Sequence, residues 1–133
     1  MTNFQAVFYR DASGCEPVRE FIDALDEDPQ AAIEHQIGRL NLLSDAIPHL
    51  PFPHSSQVDG ELRELRCHYG RELYRVLYRR SERLVVLLHV FAKRSAKIEE
   101  RDIRIARERW EDFRARMDAP QRVPPRAAGH DAP

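Results

Sequence analysis

The chain has 133 residues, 42% hydrophobic and 32% charged, which is room for one domain with a core and excludes a wholly disordered protein. Its longest apolar run, Leu84-Val85-Val86-Leu87-Leu88, is strand-sized, far short of the roughly 18 residues that cross a membrane. The net charge of −1 excludes only a uniformly basic protein, because residues 1–60 hold three Arg against ten Asp and Glu, whereas residues 61–116 hold sixteen Lys and Arg against ten.

Phe4-Gln5-Ala6-Val7-Phe8-Tyr9 is predicted as a short strand with apolar groups on both faces. Ser13-Gly14-Cys15-Glu16 fits a capping box, and Pro17 suits the first turn of the helix that follows. Val18, Phe21, Ile22 and Leu25 then fall on one helical face. Asp26-Glu27-Asp28-Pro29 breaks this helix, and Ile33, Ile37, Leu40 and Leu43 form the stripe of a second one, to about Ser44. The pair reads as an N-terminal helical hairpin. Residues 48–56 contain three prolines and two serines and read as a loop.

Three strands are predicted next, over 62–67, 73–79 and 84–93. Their short connections force antiparallel hairpins. The last strand is apolar on both faces in its first half, which places it inside the sheet. Ile103, Ala106, Trp110, Phe113 and Met117 then mark one seam of a C-terminal helix. The expected fold is α+β: a mostly antiparallel sheet with its helices on one face, one domain over 1–117, and a Pro-rich disordered tail over 118–133. The N-terminus has no basic and apolar leader pattern, so a cytoplasmic protein is expected.

No phosphate-binding glycine loop, nucleophile elbow or zinc-protease motif is present. The six histidines have no partner at metal-ligand spacing, so neither a metal nor another cofactor is expected. Cys15 and Cys67 form no disulfide framework, and Cys67 reads as core packing. The informative side chains are basic ones at strand ends. Arg66 and Arg75 fall on adjacent strands, and Lys93, Arg94 and Lys97 run off the third. A mid-strand Arg75 suits either an open groove that grips phosphate or a cross-strand ion pair with Glu64. The asymmetry of charge likewise fits a polyanion-facing surface or an ordinary Arg-rich solvated face.

Leu62-Arg63-Glu64-Leu65-Arg66, then Tyr74-Arg75-Val76-Leu77-Tyr78, then Leu87 to Lys97 (LLHVFAKRSAK) resemble the phage-derived branch of the RelE/HigB-like toxins of type II toxin–antitoxin systems. Residues 101–107 fit the helix that follows in that family, and the resemblance covers roughly residues 4–110. It implies a small RelE-like fold with a twisted sheet. It also implies a ribosome-associated endoribonuclease that cuts mRNA by metal-free attack of the 2′-hydroxyl, neutralised by an antitoxin that is often a helix-turn-helix protein. Carried over by position, Arg66, Arg75, Lys93 and Lys97 are the catalytic candidates. Arg94, Tyr78, Phe91 and His89 are the substrate-binding candidates. Where the family often has two lysines, this chain has Lys93-Arg94, which moves proton transfer toward Lys93 or Lys97. The alternatives are a ParE-like gyrase inhibitor and a non-catalytic phage-derived interaction domain. Charge reversal at Arg75 is expected to abolish cleavage with the fold intact.

Overall fold

A computed structural model describes residues 3–92 and 97–129. In chain order it has β1 (Gln5–Phe8), α1 (Pro17–Asp23), α2 (Glu27–Leu40), β2 (Ser55–Asp59), β3 (Leu62–Tyr69), β4 (Glu72–Ser81), β5 (Leu84–Ala92) and α3 (Glu100–Asp118). The fold is α+β, as expected. The five strands form one sheet in the order β1-β5-β4-β3-β2. All neighbours are antiparallel except β1, which runs parallel to β5 with Gln5 beside Leu84 and Phe8 beside Leu87. No described helix is long and apolar enough to cross a membrane.

Two hairpins turn at glycines that the backbone requires. Gly60 and Gly70 both take φ near +59°, a conformation open to Gly without a Cβ clash. β2 begins inside the stretch, residues 48–56, that the sequence reading assigned to loop. Its first residues, Ser55 and Ser56, pair with Leu65 and Glu64. The capping-box expectation is also corrected. Asp11 Oδ1 accepts from Ser13 N, Ser13 Oγ and Cys15 N, so a turn built on Asp11 delivers the chain to α1, and Ser13 is spent there. Pro17 does open the helix.

The helices cover both faces of the sheet rather than one. On one face Val18 and Ile22 of α1 and Ile33 and Leu40 of α2 pack with Leu65, Val76, Tyr78, Val85 and Leu87. On the other, Ala106 and Phe113 of α3 pack with Leu62, Leu77, Val86 and Leu88. Alternation along each strand sends successive side chains to these two cores. Near the end of β5 the register shifts: Leu77 faces His89, while Tyr78 faces Leu87. The extra residue is Leu88, so Leu88 and His89 both face α3, as a bulge allows.

The tail expected to be disordered is placed against β1 as far as residue 129. Arg10 N donates to Ala127 O at 2.9 Å, and Gly129 N donates to Phe8 O at 2.8 Å. Tyr9 bridges Ala128, and Ala127 and Ala128 are buried. Composition concealed this because the contacts are backbone hydrogen bonds made by small residues.

Candidate functional site

Two of the charged candidates, Arg66 and Arg75, meet on the α3 face of the sheet, within β3 and β4. Arg66 lies directly opposite Arg75, and Arg75 opposite Phe91. Two like charges opposed on adjacent strands repel unless an anion lies between them. Glu64, two residues before Arg66 on the same face, is that anion. Its Oε2 is 3.4 Å from Arg75 Nη1 and its Oε1 3.8 Å from Arg66 Nε. Ser56 Oγ of β2 donates to Oε1 at 3.2 Å.

Burial separates the two arginines. Arg75 is only 2% exposed and Glu64 3%. Of the two settings weighed for Arg75, the cross-strand pair with Glu64 is the one present, and an open phosphate groove at this residue is not. The expectation that charge reversal here leaves the fold intact is corrected too, since it would set two buried carboxylates together. Arg66 differs. Its side chain is 22% exposed, and its distance to Glu64 is beyond hydrogen-bond range. Arg66 therefore keeps bonding capacity and access to solvent. Its guanidinium carbon stands 5.8 Å from the ring centre of Phe52.

His89 lies on the same face, with both ring nitrogens engaged. Nε2 is 2.8 Å from Asp102 Oδ1, and Nδ1 is 3.4 Å from Arg109 Nη1. A carboxylate can only accept, so Nε2 carries the proton and Nδ1 receives from Arg109. Burial pushes the imidazole below its ordinary pKa, against the pull of Asp102 and with the help of Arg109. The result is a neutral histidine that fastens α3 to β5, with Arg109 Nη1 also donating to Leu88 O at 2.8 Å. This geometry leaves no lone pair for a substrate proton. Phe91 stacks on the His89 ring, centre to centre 5.5 Å.

Tyr78 does not join the group. It is 2% exposed in the core under α1 and α2, with its hydroxyl 2.7 Å from Ser55 Oγ. A base cannot stack on it. Lys97 is exposed in the connection from β5 to α3. Lys93 and Arg94 lie outside the described residues. Cys67 is buried, and burial pushes its thiol up to about 12, in keeping with core packing rather than nucleophilic work. Among the described residues no group of three or more His, Cys, Asp or Glu is placed to hold a metal ion.

Sequence reasoning missed Asp102, Arg109 and Phe52. Asp102 and Arg109 are seven residues apart on α3, a spacing that sets them on one face. That regularity was available, but not which strand the face meets. Phe52 was absorbed into the proline-rich loop.

No curated protein matches the chain. Residues 20–111 match the phage-derived Gp49-like proteins (DUF891), a span that runs from within α1 through β5 to most of α3 and takes in Glu64, Arg66, Arg75, His89, Asp102 and Arg109. The chain belongs to the Gp49-like family of phage-derived proteins.

Proposed function

We propose that this protein is the toxin of a type II toxin–antitoxin system, a RelE/HigB-like endoribonuclease that cuts mRNA on the ribosome. The observation that carries this reading is the Arg66–Glu64–Arg75 cluster within a Gp49-like chain. In the reaction the 2′-oxygen of the RNA attacks the neighbouring phosphorus and the 5′-oxygen leaves with a proton. Negative charge builds on the phosphorane oxygens. Arg66, anchored by Glu64 yet partly exposed, supplies fixed positive charge to them. Arg75 acts through Glu64 and is a positioning residue. Lys93 and Lys97 divide the proton transfers: one, in its neutral form, takes the proton of the attacking 2′-hydroxyl, and the other protonates the leaving 5′-oxygen. The partners in this reading are the ribosome, mRNA and a helix-turn-helix antitoxin.

The test is induced expression with mapping of RNA 5′ ends. Wild type is expected to leave codon-positioned cuts in translated messages. Arg66→Ala should reduce them on the order of 100-fold, the usual effect of removing one charge-stabilising donor, with an unchanged melting temperature. Arg75→Ala should also lose activity, but together with stability, because Glu64 stays buried with one partner fewer. Undiminished cutting by the Arg66 variant would sink the assignment of that residue. Intact RNA with gyrase-dependent DNA damage would replace the reading with a ParE-like one.

A further inference from the structure

The loop before β2 presents Phe52 in an unusual way. Among the described residues the exposed large aromatics are Phe52, at 73%, and Tyr69, at 41%. The two sit in opposite electrostatic settings. Tyr69 borders a cleft lined by Asp26, Glu27, Asp28 and Glu72, which repels a phosphate chain. Phe52 stands beside Arg66.

The exposure of Phe52 is not that of a loose loop. Leu50 is buried in the core under α1 and α2. Arg66 N donates to His54 O at 2.8 Å, and His54 N to Pro51 O at 3.0 Å. Pro51 and Pro53 flank the residue and restrict the backbone further. The chain is thus pinned on both sides of a phenyl ring that is left in water. The other aromatics of the α3 face are occupied: Phe91 stacks on His89, and Trp110 stacks on Phe113 with Arg79 over its ring.

We infer that Phe52 and Arg66 form a nucleotide subsite, in which an unstacked base of single-stranded RNA lies on the Phe52 ring while Arg66 holds the adjoining phosphate. The 5.8 Å between guanidinium and ring centre is within the reach of one nucleotide. Aromatic platforms paired with basic groups are the common way of holding single strands without reading their sequence. This inference rests on the RNA-directed reading above.

The test is binding of a short single-stranded RNA with 2′-O-methyl riboses, which cannot be cut, followed by fluorescence anisotropy on the full chain. Phe52→Ala should weaken binding about tenfold, and Phe52→Trp should restore it. With an otherwise identical strand carrying abasic positions, wild type and Phe52→Ala should bind alike. Equal affinity of wild type and Phe52→Ala for the base-bearing strand overturns the subsite. So does an equal loss on both strands, or no binding by wild type. The codon-positioned cuts of the previous experiment decide the wider reading separately, since they do not depend on affinity for free RNA.

Discussion

His89 shows how one side chain can read as a substrate-binding candidate in a sequence and work as a fastening in the fold. Its imidazole is half of a bridge between β5 and α3, held neutral by burial. The depressed pKa has a definite sign. Near pH 7 both folded and unfolded chains carry this histidine uncharged. As pH falls through about 6.5, the ordinary value, the unfolded chain takes up a proton that the folded one resists. The His89 contribution is therefore fully present above about pH 6.5 and is lost as pH falls toward the lower folded value. The wild-type melting temperature should decline between pH 7 and pH 5 more steeply than that of His89→Gln, measured by circular dichroism in matched buffers. Parallel curves would mean that the bridge does not titrate. Glu64 was the more legible residue, because i, i+2 spacing puts it beside Arg66 in any strand. Tyr78 was less so. Alternation separates it from Arg75, but only the packing of α1 and α2 shows that its face is closed.

At the scale of elements, the sequence expressed periods well and placements poorly. Three hairpin strands, both N-terminal helices and the seam of α3 follow from spacing alone. β2 does not, because two serines after a run of prolines resemble a loop until Glu64 and Leu65 are there to pair with them. Nor does the side of the sheet that α3 takes. β5 offers apolar groups to both faces, so an amphipathic helix has two acceptable docks, and the other was already filled by α1 and α2. The C-terminal segment is the clearest case. A chain ending at Asp118 would lose the two backbone hydrogen bonds to Phe8 and Arg10, worth about 1 kcal/mol each. Its melting temperature should fall by roughly 6–10 °C, and the Arg10 amide should exchange faster with solvent. An Arg10 amide that exchanges at the wild-type rate would show that the segment does not hold this edge in solution.

Across the whole molecule, the basic half is not uniformly basic in space. α3 carries six Arg and six Asp or Glu, several of them paired within the helix, as Arg114 with Asp118 and Arg116 with Asp112. It adds no net charge. The positive excess of the sequence sits on β3, on β4 and on the segment that follows β5, β5 itself carrying no Lys or Arg. The acidic excess lies on α1, α2 and their joining residues, over the opposite face. These cations are divided between the two faces of the sheet, Arg63 and Arg80 lying toward Ser55 and Phe4 and Arg66 toward the α3 face, so in the proposed reading few of them meet phosphates. Affinity for single-stranded RNA should fall with salt at a slope of about −2 in a double-logarithmic plot, as roughly three contacts require. A slope several times steeper would place the contacts along the Arg-rich surface of α3 instead.

The parallel pairing of β1 with β5 sets when this protein can be complete. Gln5 has no partner until Leu84 exists, and the Arg66–Glu64–Arg75 cluster is assembled from β3 and β4, the second of which β5 must flank. During synthesis the first strand leaves the ribosome long before the last, and contacts this distant in sequence form late. A chain interrupted before residue 84 has no seat for β1 and no inner neighbour for β4. In the proposed reading, toxicity is then a property of the nearly finished chain, and the ribosome that makes it is protected from it until synthesis is almost over.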